Sequence, residues 1–175
     1  MNSATPPAPP PARLEPRLGV DIGRVIIAGD GPDTSFVGGS EEDALRAPAI
    51  DGAFEVLTRL RESFHGRVWL VSKCGARVQA RTRSWLEHQR FFGRTGIDPQ
   101  HLVFCRARAD KAPICAELGI TCFVDDRADV LDAMQGAVGL RLLFGASVTT
   151  LHGVVPVVGW PAAEDVIARW LSPGT

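Results

Sequence analysis

The stretch RLGVDIGRVII, Arg17 to Ile27, places a single carboxylate, Asp21, inside an apolar run, with a glycine, Gly23, two residues after it. Short, branched and apolar, Leu18–Ala28 reads as a buried strand. A charge set in such a run needs a partner, because burying an isolated carboxylate is strongly unfavourable. That partner has to come from elsewhere in the chain.

The strand-like pattern recurs at Arg67–Ser72, His101–Arg106, Ile120–Asp126 and Val138–Phe144. Between these runs, apolar residues return at helical spacing. Asp51–Phe64 puts Phe54, Leu57, Leu60 and Phe64 on one face, and Ala76–Gln89 does the same with Val78, Trp85 and Leu86. Asp110–Gly119 opens on an acidic N-cap candidate and closes on glycine, and Arg127–Gly136 and Ala162–Leu171 complete the set. About five apolar strands alternating with helices predict an α/β fold on a parallel sheet with helices on both faces.

With 175 residues, 45% apolar and 22% charged, the chain suits one globular domain. Its net charge of −1 sets up no global field to recruit nucleic acid or an acidic membrane. No apolar run approaches the roughly 18 residues of a membrane span. Neither nucleic acid nor a membrane is therefore an expected partner. Residues 1–16, rich in proline and alanine, predict a disordered tail before a folded domain over 17–175. The tail lacks the pattern of a secretory signal, and Cys74, Cys105, Cys115 and Cys122 form no C-x-x-C pair or zinc spacing. They read as reduced core thiols, which points to the cytoplasm. Residues 29–48 break the rhythm and read as a flap-like loop or minimal cap, with TSFVG as part of a hairpin.

In an open parallel sheet, ligands bind outside the carboxyl ends of the strands. The first strand offers Asp21 and Gly23, and the second offers Ser72 followed by Lys73. Lys111 opens the helix after the third, and Asp125 and Asp126 end the fourth. Two adjacent carboxylates with a third nearby make a hard oxygen cage suited to Mg²⁺. A lysine and a hydroxyl can hold phosphoryl oxygens where charge accumulates. A carboxylate facing the metal can act as a nucleophile and form an acyl-phosphate.

These residues resemble the four motifs of the haloacid dehalogenase superfamily of phosphohydrolases: VDIGRVI, WLVSK, the Lys111 of ADKAPI, and FVDDR. The resemblance spans about Leu18 to Phe144. It implies a three-layer, Rossmann-like sheet and Asp21 as nucleophile. It implies Mg²⁺ on Asp21, the Gly23 carbonyl, Asp125 and Asp126. Ser72 and Lys73 would bind the phosphorylated substrate, and Lys111 would stabilise both nucleophile and intermediate. The short spacing between motifs is similar to capless or minimally capped members, which can gain closure from a second copy of the chain.

One departure matters. Phosphatases of this family carry a second aspartate where this chain has Gly23, an acid that protonates the leaving alcohol and then activates water. Either hydrolysis through Asp21 is slow, or an acid from the flap (Asp30, Asp33, Glu41, Glu42 or Asp43) substitutes. The alternative is a catalytically inactive phosphate- or protein-binding module on the same fold. Arg77, Arg81, Arg83, Arg90, Arg94, Arg106 and Arg108 read as a solvated face or as a docking surface for a polyanionic or nucleotide-like substrate. The four tryptophans read as core residues.

Overall fold

A computed structural model describes residues 15–29 and 40–172. The chain forms strands β1 (Leu18–Val20), β2 (Val68–Lys73), β3 (Leu102–Cys105), β4 (Cys122–Asp125), β5 (Leu140–Phe144) and β6 (Val154–Val157). These make one sheet in the order β3-β2-β1-β4-β5-β6, parallel at every pairing. Helices α1 (Glu41–Leu45), α2 (Ala53–Ser63), α3 (Ala76–His88), α4 (Phe91–Thr95), α5 (Lys111–Glu117), α6 (Ala128–Ala133) and α7 (Trp160–Leu171) cover it. The result is a Rossmann-like α/β fold of three layers, with one strand more than the five expected.

The two-residue repeat of the strands sorts their side chains between the layers. Leu18, Val20, Leu70, Cys122, Val124 and Leu142 pack into a core with α2, α3, α4 and α7. Val71, Phe123 and Leu143 face the other way and pack with Cys115 of α5 and Val130 and Leu131 of α6. Because both faces are covered, the central strands are apolar without alternation.

Several boundaries differ from the sequence reading, each for a physical reason. The first strand ends at Val20 rather than continuing to Ala28, because the carbonyl of Ile22 accepts hydrogen bonds from the N–H groups of Val25, Ile26 and Ile27 and bends the chain into a tight turn. The run stays apolar because Ile22, Val25, Ile26 and Ile27 are all fully buried beneath that turn. Strand β6 was missed because VVPV is short and contains Pro156. Proline lacks the ladder donor and is tolerated at an edge, which is where β6 lies.

Residues 29–48 are not wholly a loop. A short helix, α1, forms over Glu41–Leu45, started by reciprocal hydrogen bonds between Ser40 and Asp43. Asp30, Asp33 and the TSFVG run lie outside the described residues, as does the predicted tail up to residue 14. Its last two residues, Glu15 and Pro16, are held by Arg67, through an ion pair at 3.2 Å and a hydrogen bond to the Pro16 carbonyl at 3.2 Å.

Gly19 in β1 is required by close approach. A Cβ there would lie 2.4 Å from Phe123, whose fully buried ring from the neighbouring strand covers it. Gly19→Ala should therefore destabilise the fold by about 1–3 kcal/mol in urea unfolding. Gly139→Ala, with its nearest neighbour at 3.5 Å, should stay within about 0.5 kcal/mol. Equal effects at the two positions would contradict the Phe123 packing.

Candidate functional site

The strand order reverses direction between β1 and β4: the chain builds outward from β1 through β2 to β3, then returns to place β4 on the other side of β1. The carboxyl ends of these two inner strands flank the crevice where ligands bind in such sheets. Register puts Asp21 and Asp125 level with each other there, since Val20 pairs with Val124. The Asp21 N–H donates to the Val124 carbonyl at 2.9 Å, the last rung of that ladder. Residues level on parallel neighbours point to the same face, so the two carboxylates meet on the α5 side.

Lys111 opens α5 directly opposite and is 2% exposed. Its ammonium lies 2.9 Å from Asp21 Oδ1 and 2.7 Å from Asp125 Oδ2, bridging the two strands. The charge also sits 5.7 Å from the centre of the Phe123 ring, within cation–π range. The other oxygen of Asp125 accepts the Arg127 N–H at 2.9 Å, so one carboxylate starts the turn into α6 and holds the lysine as well. Asp110, expected to cap α5, instead accepts the Ala107 N–H at 2.9 Å and closes the 3₁₀ turn Arg108–Asp110 before Lys111.

Asp126 completes the cluster. Oxygens of Asp21, Asp125 and Asp126 all lie within 4.8 Å of one another. Burial and the Asp21 charge hold the Asp126 carboxyl above the ordinary carboxylate range, against the opposing pull of Arg24. Burial first, then Asp21, pushes Asp125 up to about 7, although Lys111 favours its ionised form. Burial alone would lower the Lys111 pKa, but Asp21 and Asp125 outweigh it and raise it. Three carboxylates share the crevice with Lys111 and Arg24, and the field of Arg127 also acts on Asp126.

That donor set fits a divalent cation. Its oxygens are hard, close together and set at the ends of two neighbouring strands, and a cation would offset the burial and the mutual repulsion that raise Asp125 and Asp126. Gly23 lies half-buried in the same turn as Asp21.

The sequence-predicted residues divide accordingly. Asp21, Lys111, Asp125 and Asp126 converge. Ser72 is buried at the end of β2, and Lys73 follows it half-exposed. Neither makes a hydrogen bond or ion pair to the three acids among the described residues. Lys73 is nevertheless near in charge terms: its field, with those of Asp21 and Lys111, acts on both Cys74 and Cys105. All four cysteines are free and buried.

Of the flap acids, Asp43 is bound to Ser40 and Glu42 pairs with Arg46, so both have roles within α1. The arginines do not share one face. Arg81 is buried, Arg83 lies 5.0 Å above the Phe104 ring and Arg94 4.0 Å above the Phe54 ring. Arg83 and Arg90 border a cleft of about 390 Å³ lined by Leu86, Phe91, Phe92 and Leu102.

Arg24 is the site residue that sequence reasoning missed. Its guanidinium contacts Asp126 Oδ2 at 2.6 Å, from a backbone in the left-handed region, φ 59°. The signal was a cation embedded in the buried run GRVII. No protein-family model matches this chain, and no curated protein matches it.

Lys111→Met should destabilise the fold by about 3–5 kcal/mol at pH 8, because two carboxylates lose their shared counter-charge. Lys111 pulls the Asp125 pKa down, so without the lysine this carboxyl titrates above its wild-type value of about 7, takes up its proton at a higher pH than in wild type, and recovers stability as pH falls from 8. The deficit should shrink by pH 5. A pH-independent deficit in chemical denaturation would rule out this charge arrangement.

Proposed function

We propose that this chain is a Mg²⁺-dependent phosphomonoester hydrolase of the haloacid dehalogenase type, working through an aspartyl-phosphate on Asp21. One observation carries the reading: three carboxylates at the ends of the two inner strands cluster at the switch point of a parallel sheet, two of them on a buried lysine. The four motif residues met in sequence order, Asp21, Ser72, Lys111 and the Asp125–Asp126 pair, support it. The free, buried cysteines support a cytoplasmic setting.

Asp21, Asp125, Asp126 and the Gly23 carbonyl would hold Mg²⁺, which when bound supplies positive charge beside the phosphoryl oxygens. Asp21 attacks phosphorus, the bond to the leaving oxygen breaks, and the phosphoryl group becomes an acyl-phosphate on the carboxylate. The Lys111 ammonium, held at the Asp21 oxygen, offsets charge gathering on the phosphoryl group. Ser72 and Lys73, at the end of the adjoining strand, would bind the phosphorylated substrate on its other side. Water then cleaves the acyl-phosphate and frees inorganic phosphate.

Gly23 sets the rate. With no acid there, the leaving alkoxide takes its proton from water and the attacking water has no positioned base, a deficit of typically about 10²–10⁴ in rate. The same glycine favours a second reading, a module that binds phosphate without turnover.

Gly23→Asp should raise Mg²⁺-dependent hydrolysis of a generic aryl phosphate by about 10² or more, and Asp21→Asn should abolish it. A flat response to Gly23→Asp would favour the binding module. Mg²⁺ should also raise the Tm, and by more at pH 8 than at pH 6, because at lower pH protons compete for the raised Asp125 and Asp126 carboxylates. Asp126→Asn should remove most of that rise. An increment independent of pH and of Asp126 would take the metal out of the site.

A further inference from the structure

Arg24 has no part in the chemistry above, yet the fold commits it to the crevice. Its backbone is left-handed, which disfavours side chains other than glycine, and a hydrogen bond from its N–H to the Ile27 carbonyl at 2.8 Å holds it there. The turn beneath is anchored by Ile22, Val25, Ile26 and Ile27, all fully buried, and by the Trp160 indole N–H on the Val25 carbonyl at 2.8 Å. A rigid support thus delivers a guanidinium, about one-third exposed, to an oxygen of Asp126. Asp126 is also one of the three carboxylates available to a cation. A guanidinium and a divalent ion on one carboxylate compete.

We propose that Arg24 is a latch that occupies Asp126 until a divalent cation takes that carboxylate, and that the released guanidinium then binds the oxygens of a phosphoryl group. This rests on the cation site proposed above. The planar fork of arginine matches phosphate oxygens two at a time. Adding a doubly charged ion also makes the cluster more positive, which favours an anion. Cation and phosphate therefore strengthen each other's binding, by the same factor in both directions.

Titration calorimetry with Mg²⁺ alone, inorganic phosphate alone, and each in the presence of the other tests this on wild type, Arg24→Asn and Arg24→Lys. Asparagine tolerates the left-handed backbone, so the first variant removes charge without adding strain. Arg24→Asn should bind Mg²⁺ alone roughly three- to fivefold more tightly, the release of a partly exposed ion pair. Its phosphate affinity in the presence of Mg²⁺ should fall about tenfold, and the mutual enhancement should approach one. Arg24→Lys should keep part of the enhancement. If Arg24→Asn binds Mg²⁺ no more tightly than wild type, or keeps the full enhancement, the latch is wrong while the cation site stands. A wild type that takes up no Mg²⁺ overturns both.

Discussion

Lys111 is the tie on which the crevice depends. Buried ammonium groups tend to lose their proton, and buried carboxylates tend to gain one. Here each opposes the other's neutralisation: the lysine lies within 3 Å of Asp21 and of Asp125, their fields keep it charged, and it pulls the Asp125 carboxyl back toward its ionised form. Because the acids end two different strands and the lysine opens a helix packed against the same face, one set of contacts fastens β1, β4 and α5 together. The compensation is incomplete. Burial first, and then the charge of Asp21, raises both Asp125 and Asp126, against the opposing pull of Lys111 on both and of Arg24 on Asp126.

The rest of the architecture holds this geometry in place. Phe123 fills the space over Gly19 and brings β1 and β4 together beneath the lysine. On the opposite face, the Ile22–Ile27 turn stops β1 at Val20, just before Asp21, and carries Gly23 and Arg24. Farther out, buried Arg141 in β5 donates to the carbonyls of Leu131 and His152, joining α6 to the crossover that leads into β6. These connections fix the walls of the crevice without contributing to its chemistry.

The parallel sheet was legible because runs such as LVFC and CFVD are apolar on both faces and bounded by helical periodicity. Strand-end acids were legible for the converse reason, since Asp21 and Asp125 interrupt buried runs where an unpaired charge is untenable. Turns were harder to read. GRVII has the composition of a strand, and only three N–H groups converging on one carbonyl reveal that it folds back, so Arg24 and its pairing with Asp126 stayed hidden. β6 was obscured by Pro156, and α1 by its brevity. The tryptophans split by position rather than type: Trp85 and Trp160 are buried, whereas Trp170 on the last turn of α7 is 39% exposed.

The acids occupy the two innermost strands, while the margins, β3 and β6, lie two strands away on each side. Local fraying begins at margins and rarely reaches the centre short of global unfolding. Lengthened loops, altered outer strands or an added cap can therefore accumulate around this crevice without moving the atoms within it. The rim and the charged cluster are separately heritable in such a layout: descendants of this chain are free to remodel the one while Asp21, Lys111 and Asp125 stay in register.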